Sequence, residues 1–362
     1  MKIGIGTFHN AHNYGAILQT VALKTFIAKL GHDCFVIDHK NRIIEEGYRP
    51  SYKSLFKDFD RKPWTFYKIV PRFILFISLK KRYKMFERSI ARLYNAKPLS
   101  ELNPDLIVFG SDQIWNEYLI GDDMFYYGVI EDIRKVKKIS YAASLGFGPI
   151  DFLKKNKSLL EEFQHLGVRE KSLQDELKKI GLSSTLTIDP TLLLSVKDWN
   201  EIFQLDMVNI VKDYILVYGM RKRKEVLKIA KKISKETGLR ILEVRSNSNL
   251  NLHSTFSPNF YTSVRGFLKK IKEAKVIITD SFHGTVFSII FGKPFYSIKY
   301  GETGDDRAVN LLQEFNLENH FITPGDSIPP FPPEPERNLL DKYNPYINQS
   351  FQYLVDCLSS IN

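Results

Sequence analysis

Apolar positions in the first half of the chain fall into short runs of strand length, separated by longer segments with helical spacing. The clearest helical pattern covers 13–30, where apolar residues recur every three or four positions, and Gly31 ends it. Strands are predicted at 3–7, 34–38, 106–109, 138–142, 164–168 and 185–188. This alternation is typical of βαβ units and predicts a parallel sheet.

The same alternation begins again after Trp199. Gly238 and Gly292 each follow a helical pattern, as is common at helix C-termini. Strands are predicted at 214–218, 240–244, 276–279 and 294–298, helices at 224–237, 264–273 and 284–291, a proline-rich linker at 324–335 and a last amphipathic helix at 343–358.

Two such halves predict an α/β protein with two Rossmann-like domains facing a central cleft. We expect an N-terminal domain over 1–195, a C-terminal domain over 196–330, and a linker and helix over 331–362. A chain of 362 residues is long enough for two cores. Ligands of such sheets bind beyond the carboxyl ends of the strands, so candidate site residues are sought there.

Composition narrows the class of protein only a little. Hydrophobic content of 43% and charged content of 26% are ordinary for a globular protein. The two cysteines, Cys34 and Cys357, lie far apart in sequence, so neither a disulfide framework nor structural zinc is expected. The first residues run straight into a strand pattern without a secretion signal, which favours the cytoplasm.

The net charge of +11 is concentrated in 49–97, where fourteen lysine and arginine residues stand against three acidic ones. This segment is also rich in aromatic and aliphatic residues, but Lys68, Pro71 and Arg72 interrupt its apolar run. A spanning helix needs about 20 apolar residues, so a span is excluded. A contact with an anionic membrane surface and a helical insertion packed on the domain both stay open. Nucleic-acid binding is weaker, since no nucleic-acid motif accompanies the charge, and no such partner is expected.

The first candidate site is the polar turn between the predicted strand 276–279 and the helix after it. Amides at the helix start, with the hydroxyls of Ser281 and Thr285, form a cradle for an anion. Gly284 allows a ligand to approach the backbone closely, and His283 can donate to a phosphate or move a proton near neutral pH. The alternative is an ordinary helix cap, which would not require the histidine.

The second candidate site follows strand 106–109, where a glycine and a short polar run precede an aromatic residue. Carboxylate, amide and hydroxyl groups here can bind sugar hydroxyls, and the indole can either stack on a sugar or belong to the core. The residues are Ser111, Asp112, Gln113, Trp115 and Asn116.

The third candidate site is the turn after the first strand, which places Asn13, Tyr14 and Gly15 at a helix start facing the cleft. This turn is not a GxGxxG fingerprint, and the chain has no P-loop, which argues against NAD and ATP chemistry. His9 and His12 are candidate metal ligands, but no third ligand is evident, so no metal is expected.

Arginines near strand ends can grip a carboxylate or phosphate with two hydrogen bonds. Arg169 follows the strand 164–168, Arg221 follows 214–218, and Arg307 precedes a helical pattern. Arg223 is better explained as a surface ion pair.

Taken together, these segments resemble the polysaccharide pyruvyl transferase family. Six matching segments occur in the family's order: Asn13-Tyr14-Gly15 with Leu18-Gln19, Gly110-Ser111-Asp112-Gln113-Ile114-Trp115-Asn116, Ser140-Tyr141-Ala142-Ala143-Ser144 with Gly146, Val168-Arg169-Glu170-Lys171-Ser172, Asp189-Pro190-Thr191-Leu192-Leu193, and Asp280-Ser281-Phe282-His283-Gly284-Thr285-Val286-Phe287-Ser288. Each is a moderate signal by itself, and six in order are a strong one.

The resemblance implies a GT-B-like fold, with a C-terminal helix that returns to the first domain. It also implies phosphoenolpyruvate as the donor, with no nicotinamide or nucleotide cofactor. The family's donor-binding arginine and histidine correspond to Arg169 and His283. We expect Ser281, Gly284, Thr285, Arg221 and Arg307 to complete the donor site, and Asn13, Tyr14, Gly15, Ser111, Asp112, Gln113, Trp115 and Asn116 to bind the acceptor.

In the expected reaction, His283 is the acid and Asp112 the weaker candidate for the base. The acceptor is expected to be a sugar of a lipid-linked oligosaccharide at the inner face of the membrane, because 49–97 is so basic. The rival interpretations are a glycosyltransferase that uses a nucleotide sugar, a polysaccharide-binding protein without catalysis, and a nucleic-acid binder.

Overall fold

The computed structural model describes residues 1–50, 52, 69–130, 136–206, 210–245, 262–329, 331–335 and 345–361. Within these residues the chain forms two parallel β-sheets with helices around them, which confirms the predicted α/β class. Parts of the basic segment 49–97, of the linker 324–335 and of the C-terminal segment 331–362 lie outside the described residues.

The first sheet contains six parallel strands in the order β2-β1-β3-β4-β5-β6. These are β1 (Lys2–Gly6), β2 (Asp33–Val36), β3 (Leu106–Phe109), β4 (Lys137–Ala143), β5 (His165–Val168) and β6 (Thr185–Leu186). The strand order reverses between β1 and β3, so the loops after these two strands diverge and leave a crevice.

The second sheet contains five parallel strands in the order β11-β10-β9-β7-β8. These are β7 (Lys212–Tyr218), β8 (Arg240–Val244), β9 (Ala274–Thr279), β10 (Phe295–Ile298) and β11 (Phe321–Ile322). Here the order reverses between β7 and β9, which makes a second crevice. The two sheets fall on either side of residue 195, while the predicted domain limits themselves stay predictions.

Fourteen α-helices occur in the described part of the chain. They are α1 (Tyr14–Lys29), α2 (Arg42–Tyr48), α3 (Ile69–Tyr94), α4 (Leu99–Leu102), α5 (Glu117–Ile120), α6 (Ile150–Lys155), α7 (Lys157–Leu160), α8 (Lys171–Lys179), α9 (Val196–Phe203), α10 (Arg223–Thr237), α11 (Val264–Glu273), α12 (Phe282–Ile290), α13 (Asp306–Glu314) and α14 (Pro345–Ile361). The short helices α2, α4, α5, α6 and α7 were not predicted, because four to seven residues are too few to show a period of 3.6.

The two halves share one apolar core. Tyr14 of α1 stacks on Phe267 of α11, with ring centroids 4.4 Å apart and planes 6° apart. The Tyr14 hydroxyl also donates to the carbonyl of Thr262 at 2.7 Å. These contacts join the first helix of the N-terminal half to the C-terminal half.

The C-terminal helix α14 returns to the first sheet. The Tyr353 hydroxyl donates to the carbonyl of Ser140 in β4, and the Ile188 amide donates to the Ser350 hydroxyl, both at 2.8 Å. A Cβ on Gly167 of β5 would stand 2.8 Å from the Tyr353 ring, so the glycine makes room for this helix. Two facing parallel sheets with such a returning helix confirm the predicted GT-B-like arrangement.

Helix α3 makes up most of the described part of the basic segment. Its buried side includes Phe76, Leu79 and Phe86, so the insertion packs on the first half. Phe73 and Ile77 are exposed on the same helix. Among the described residues, no helix combines the length and the apolar character that crossing a membrane requires.

Candidate active site

A cavity of about 540 Å³ lies where the two crevices face each other. This volume falls within the usual range of small-molecule sites, about 300–1,000 Å³. Its walls come from the loops after β1, β3, β4, β7, β9 and β10, together with α1, α2, α5, α12 and α13. The lining residues are Phe8, Ala11, Asn13, Ala16, Ile43, Ile44, Gly47, Tyr48, Asp112, Gln113, Leu119, Phe147, Met220, Arg221, Asp280, Ser281, Phe282, His283, Gly304 and Arg307.

His283 lies in the first turn of α12, at the wall of this cavity. Ser281 caps the helix, since its hydroxyl accepts a hydrogen bond from the Gly284 amide at 3.4 Å. The His283 ring packs against the backbone of Gly15 so closely that a Cβ there would stand 2.1 Å from Nδ1. Gly15 therefore has a packing role against the histidine, and it does not line the cavity, contrary to its predicted place facing the cleft.

Asp189 connects His283 to Arg169. Its Oδ2 accepts a hydrogen bond from Nη1 of Arg169 at 2.6 Å and lies 3.5 Å from Nε2 of His283. Its Oδ1 accepts from the Thr191 hydroxyl at 2.6 Å. Burial alone raises the pKa of Asp189, but the neighbouring His283, Arg169 and Thr191 hold that pKa well below the usual range. The carboxylate therefore stays charged and orients both basic side chains.

Arg169 and Arg307 both approach the Phe282 ring, with guanidinium carbons 4.9 and 5.5 Å from its centroid. Burial lowers the pKa of Arg307, and the neighbouring charge of Arg169 lowers it further. Among the described residues, Nε and Nη2 of Arg169 and Nε of Arg307 are buried without a hydrogen-bond partner. Buried donors of this kind are costly unless an acceptor reaches them. Arg307 lines the cavity, whereas Arg169 lies outside its lining, so an anion would have to reach past the cavity wall to contact both.

Glu170 is buried and lies near the two arginines. Burial raises the pKa of its carboxyl group, while Arg169 and Arg307 act in the opposite direction. The Ser144 hydroxyl donates to one of its oxygens. Glu170 thus places a carboxyl group close enough to both arginines to interact with their charges.

Asp280 and Arg221 shape the wall that belongs to the second sheet. The Asp280 carboxylate accepts hydrogen bonds from the amides of Met220, Arg221 and Lys222 at 2.5, 3.1 and 2.9 Å, and so fixes the loop after β7. Arg221 lines the cavity and is paired with Asp305. Its charge is thus partly neutralised within the protein.

Asp112, Gln113 and Asn13 are the predicted acceptor residues that reach the cavity. Asp112 has a φ of 82°, and its Oδ1 lies 3.6 Å from Nη2 of Arg169. The Asn13 side chain also caps α1 by accepting from the Gly15 amide at 2.8 Å. The side chain of Gln113 accepts a hydrogen bond from Asn116 at 2.9 Å.

Four other predicted acceptor residues are wholly buried and do not line the cavity, which corrects their placement at its wall. Trp115 is 0% exposed and donates from Nε1 to the Tyr126 carbonyl at 3.1 Å, so it belongs to the core and does not stack on a sugar. Tyr14 is likewise 0% exposed in the contact between the halves. Ser111 and Asn116 are also wholly buried, and Asn116 caps α5.

Two predicted donor residues also have structural roles. Thr285 is 0% exposed, and its hydroxyl lies 2.9 Å from that of Ser297 in the neighbouring strand. A Cβ on Gly284 would stand 2.2 Å from the Thr279 hydroxyl, so this glycine is needed for close packing of α12 on β9.

Arg307 lies within the first turn of α13 and not before it. Arg223 pairs with Glu243, as expected of an ion pair.

Sequence reasoning missed several residues of the site. Phe147 lines the cavity, is 51% exposed, and stacks on Tyr118 with planes 16° apart. Tyr48 of α2 also lines it. Asp189 belonged to a recognised motif, and Phe282 to the same turn as His283, but only the spatial arrangement gives either a role.

The two histidines considered as metal ligands bind carboxylates instead. Nε2 of His9 lies 3.0 Å from Asp38, and Nε2 of His12 lies 2.7 Å from Glu87. Within the described ranges, no three His, Cys, Asp or Glu side chains converge on a point that could hold a metal ion.

Solved structures with some likeness include two epimerases and one protein without a known function. UDP-GlcNAc 2-epimerase from Methanocaldococcus jannaschii is 14% identical, with a TM-score of 0.49 over 99% of this chain and 100% of that chain. The enzyme of that name from Neisseria meningitidis is 12% identical, with a TM-score of 0.45 over 99% of both chains. A functionally uncharacterized protein from Klebsiella pneumoniae is 14% identical, with a TM-score of 0.41 over 66% of this chain and 84% of that chain. At these values the likenesses carry no argument about the reaction.

Comparison with curated proteins gave no match. The family model described as polysaccharide pyruvyl transferase matches residues 13–302, which is most of the chain and includes every cavity residue except Phe8, Ala11, Gly304 and Arg307.

Proposed function

The chain belongs to the polysaccharide pyruvyl transferase family and is a transferase, and from that premise we propose that its donor is phosphoenolpyruvate and its acceptor a hydroxyl pair on one sugar of a polysaccharide precursor. The observation that carries this proposal is the set of unpartnered donors on Arg169 and Arg307 beside His283. Phosphoenolpyruvate carries a carboxylate and a phosphate on one carbon, and guanidinium groups bind both kinds of anion well.

Donor binding divides between the two halves of the molecule. Arg169 comes from the first half and is fixed by Asp189, while His283 and Arg307 come from the second half. The first amides of α12 have no partner within the helix and favour an anion, as at any helix N-terminus. One anionic group therefore lies against Arg169 and Arg307, and the other against the start of α12.

In the reaction, His283 donates a proton to the methylene carbon of the enol, and the adjacent carbon becomes electrophilic. A sugar hydroxyl forms a C–O bond to that carbon and gives its proton to Asp112. The C–O bond to phosphate then breaks, and phosphate leaves with the bonding electrons. The second hydroxyl adds to the same carbon and gives its proton to His283, which restores the acid, while the proton on Asp112 passes to the departing phosphate. The product is a cyclic ketal with a new methyl group.

The acceptor enters from the side of the first sheet. Asn13, Asp112 and Gln113 offer oxygen and nitrogen atoms to sugar hydroxyls. The exposed ring of Phe147, supported by Tyr118, supplies the aromatic surface that the sequence had suggested at Trp115. An apolar sugar face can pack on such a ring.

The test is phosphate release from phosphoenolpyruvate with an extract of lipid-linked oligosaccharides, for wild type beside His283→Ala. We expect release that requires the acceptor and falls at least about a hundredfold in the variant, since proton transfer by a positioned side chain contributes about that much. Unchanged release in His283→Ala contradicts the assignment of the acid. Consumption of a nucleotide sugar in place of phosphoenolpyruvate favours a glycosyltransferase.

We also propose that the reaction needs neither a metal nor a nucleotide cofactor, because the three basic side chains of the donor site carry the charge that a metal would otherwise supply. Phosphate release is therefore expected to survive dialysis against EDTA. A loss that magnesium or manganese restores would contradict this.

We propose last that the protein is cytoplasmic and meets its acceptor at the membrane surface. Helix α3 exposes Phe73, Ile74 and Ile77, and further along it exposes Lys81 and Lys84. Each basic residue near an anionic surface contributes about 1 kcal/mol. Arg82 is 3% exposed and bonds to the His12 carbonyl, so it belongs to the fold and not to this surface.

Flotation with phosphatidylglycerol vesicles tests this contact. The triple change of Lys81, Lys84 and Arg88 to glutamine is expected to abolish flotation. The control changes three exposed lysines of α10 (Lys231, Lys232 and Lys235) to glutamine. It removes the same charge from another surface and should leave flotation unchanged. Equal flotation of both triple variants contradicts a contact through α3.

A further inference from the structure

A second cavity of about 240 Å³ lies beside the active site, between the loop after β1 and the helices α2 and α3. Its lining shares only Tyr48 with the first cavity among the residues described. The loop after β1 separates the two, because Phe8, Ala11 and Asn13 line the first cavity while other residues of the same loop line the second. The second cavity is lined by His9, Asn10, His12, Asp38, Lys40, Glu45, Tyr48, Tyr83, Glu87, Ile90, Ala91, Asn95 and Ala96.

Two buried histidines give this cavity its chemistry. His9 and His12 are 1% and 2% exposed, and each contacts a carboxylate through Nε2. Nδ1 of each ring is buried with no hydrogen-bond partner in the described part of the chain. Neither group takes part in the proposed transfer, so the reaction does not explain them.

His12 is held among aromatic rings. Its ring lies 4.2 Å from that of Tyr83 and 5.4 Å from that of Phe86, and it is nearly parallel to the latter. Burial lowers the pKa of His12, although Glu87 acts to raise it. A neutral ring that donates from Nε2 to Glu87 keeps a lone pair on Nδ1, which can accept a hydrogen bond from a hydroxyl group.

The lining favours a neutral, hydroxyl-rich ligand. Asp38, Glu45 and Glu87 stand against the single lysine Lys40, so an anion would meet more negative than positive charge. Asp38 and Glu87 already contact the histidines, so fewer of their oxygen lone pairs are left to coordinate a cation. Sugar hydroxyls both donate and accept, and so can satisfy imidazole, carboxylate and amide groups together. The volume is below that of pockets for drug-sized ligands, about 300–1,000 Å³, and suits one ring.

We propose that this cavity binds a second sugar unit of the acceptor, next to the one that receives the pyruvyl group. The acceptor chain would cross Tyr48, which borders both cavities. This inference rests on the proposed function, because it assumes that a sugar occupies the first cavity. It makes the enzyme selective for chains of two or more sugars.

Binding to a glycan array of bacterial mono- to tetrasaccharides tests the subsite with the full chain and without turnover. The filling variant is Ala91→Trp, at an exposed position of α3 that lines the cavity, and its matched control is Arg88→Trp, one turn earlier and outside the lining. Glu87→Gln is a milder second variant, since Glu87 is 53% exposed.

Wild type and Arg88→Trp are expected to bind longer saccharides at least about tenfold more tightly than their terminal monosaccharides, the equivalent of one or two hydrogen bonds. Ala91→Trp should lose this difference, and Glu87→Gln should reduce it. The subsite is contradicted if wild type binds short and long saccharides equally or binds no saccharide. It is also contradicted if Ala91→Trp keeps the preference of wild type for longer saccharides. Phosphoenolpyruvate-dependent phosphate release, measured separately, shows whether a failure concerns the proposed function instead.

Discussion

At the residue scale, one buried carboxylate organises the proposed donor site. Asp189 accepts a hydrogen bond from Arg169 and lies 3.5 Å from His283, so it sets the direction of both side chains. A buried pair adds little net stability compared with an apolar substitute, but removing one partner leaves a charge uncompensated. The side chain is therefore costly to change even though it does not line the cavity.

Asp189→Asn is expected to destabilise the protein by about 3–5 kcal/mol, because Arg169 loses its closest partner. The folded-state pKa of Asp189 is depressed, so its contribution is present above the unfolded pKa and is lost as pH falls through the lower folded value. The difference in free energy of unfolding between wild type and variant should therefore narrow from pH 6 to pH 3. Urea unfolding at several pH values measures it. Asp151→Asn, at a residue whose side chain is 93% exposed, is the control and should cost almost nothing.

Gly15→Ala is expected to lower turnover by at least about tenfold and to change the free energy of unfolding only a little. The new Cβ would meet Nδ1 of His283 at 2.1 Å and displace the ring. Phosphate release and the free energy of unfolding should be measured together. Gly266→Ala in α11 is the matched control, because it lies outside the cavity lining and its Cβ would approach no atom closer than 3.1 Å. Equal turnover in both variants would show that the ring position does not depend on Gly15.

At the scale of elements, the site is assembled from strand ends. The loops after β1 and β3 belong to the reversal of the first sheet, and those after β7 and β9 to the reversal of the second. Helix α3 contributes to the second cavity from outside both sheets. Its position depends on a few buried contacts, of which that of Arg82 with the His12 carbonyl is one.

Arg82→Met should lower the free energy of unfolding by about 1–3 kcal/mol, because the buried His12 carbonyl loses a charged hydrogen-bond donor. We expect faster hydrogen exchange in α3 and in the loop after β1, with the second sheet unaffected. Lys81→Met, at the adjacent exposed position, removes the same charge and should change neither the free energy of unfolding nor the hydrogen exchange. Similar exchange in both variants would contradict the role given to Arg82.

At the scale of the whole molecule, the contact between the halves is apolar and continuous with the core. Tyr14 is central to it, since its ring stacks on Phe267 and its hydroxyl reaches the Thr262 carbonyl. The cavity lies between the halves, so their relative position decides whether Arg169 and His283 can hold one ligand.

Tyr14→Ala is expected to lower the free energy of unfolding by about 3–5 kcal/mol, as for other buried aromatic residues, and to weaken phosphoenolpyruvate binding. Tyr14→Phe keeps the stack and loses one hydrogen bond, which costs about 1 kcal/mol. Calorimetric unfolding and donor titration distinguish them. Equal effects of the two variants would mean that the stack does not hold the halves together.

Much of the fold follows from the sequence pattern, because the spacing of apolar residues indicates which strands and helix faces are buried. The long helices α1, α10, α11 and α12 were predicted to within two residues at each end. The predicted strand 34–38 was too long, since pairing with β1 gives way after Val36 to an isolated bridge between Ile37 and Lys97. Such an ending depends on a partner about sixty residues away.

The sequence alone determined the two parallel sheets and the family motifs, and it pointed to Arg169 and His283 as site candidates, because strand ends and polar turns are local features of the chain. Only the tertiary structure decided which polar residues share a cavity. Trp115 and Asp112 lie three residues apart, yet one belongs to the core and the other lines the site. Asp189 gained its role because β5 and α12, distant in sequence, bring Arg169 and His283 to one carboxylate. Contacts of this kind depend on strand order and on the packing of the two halves, neither of which a local pattern contains.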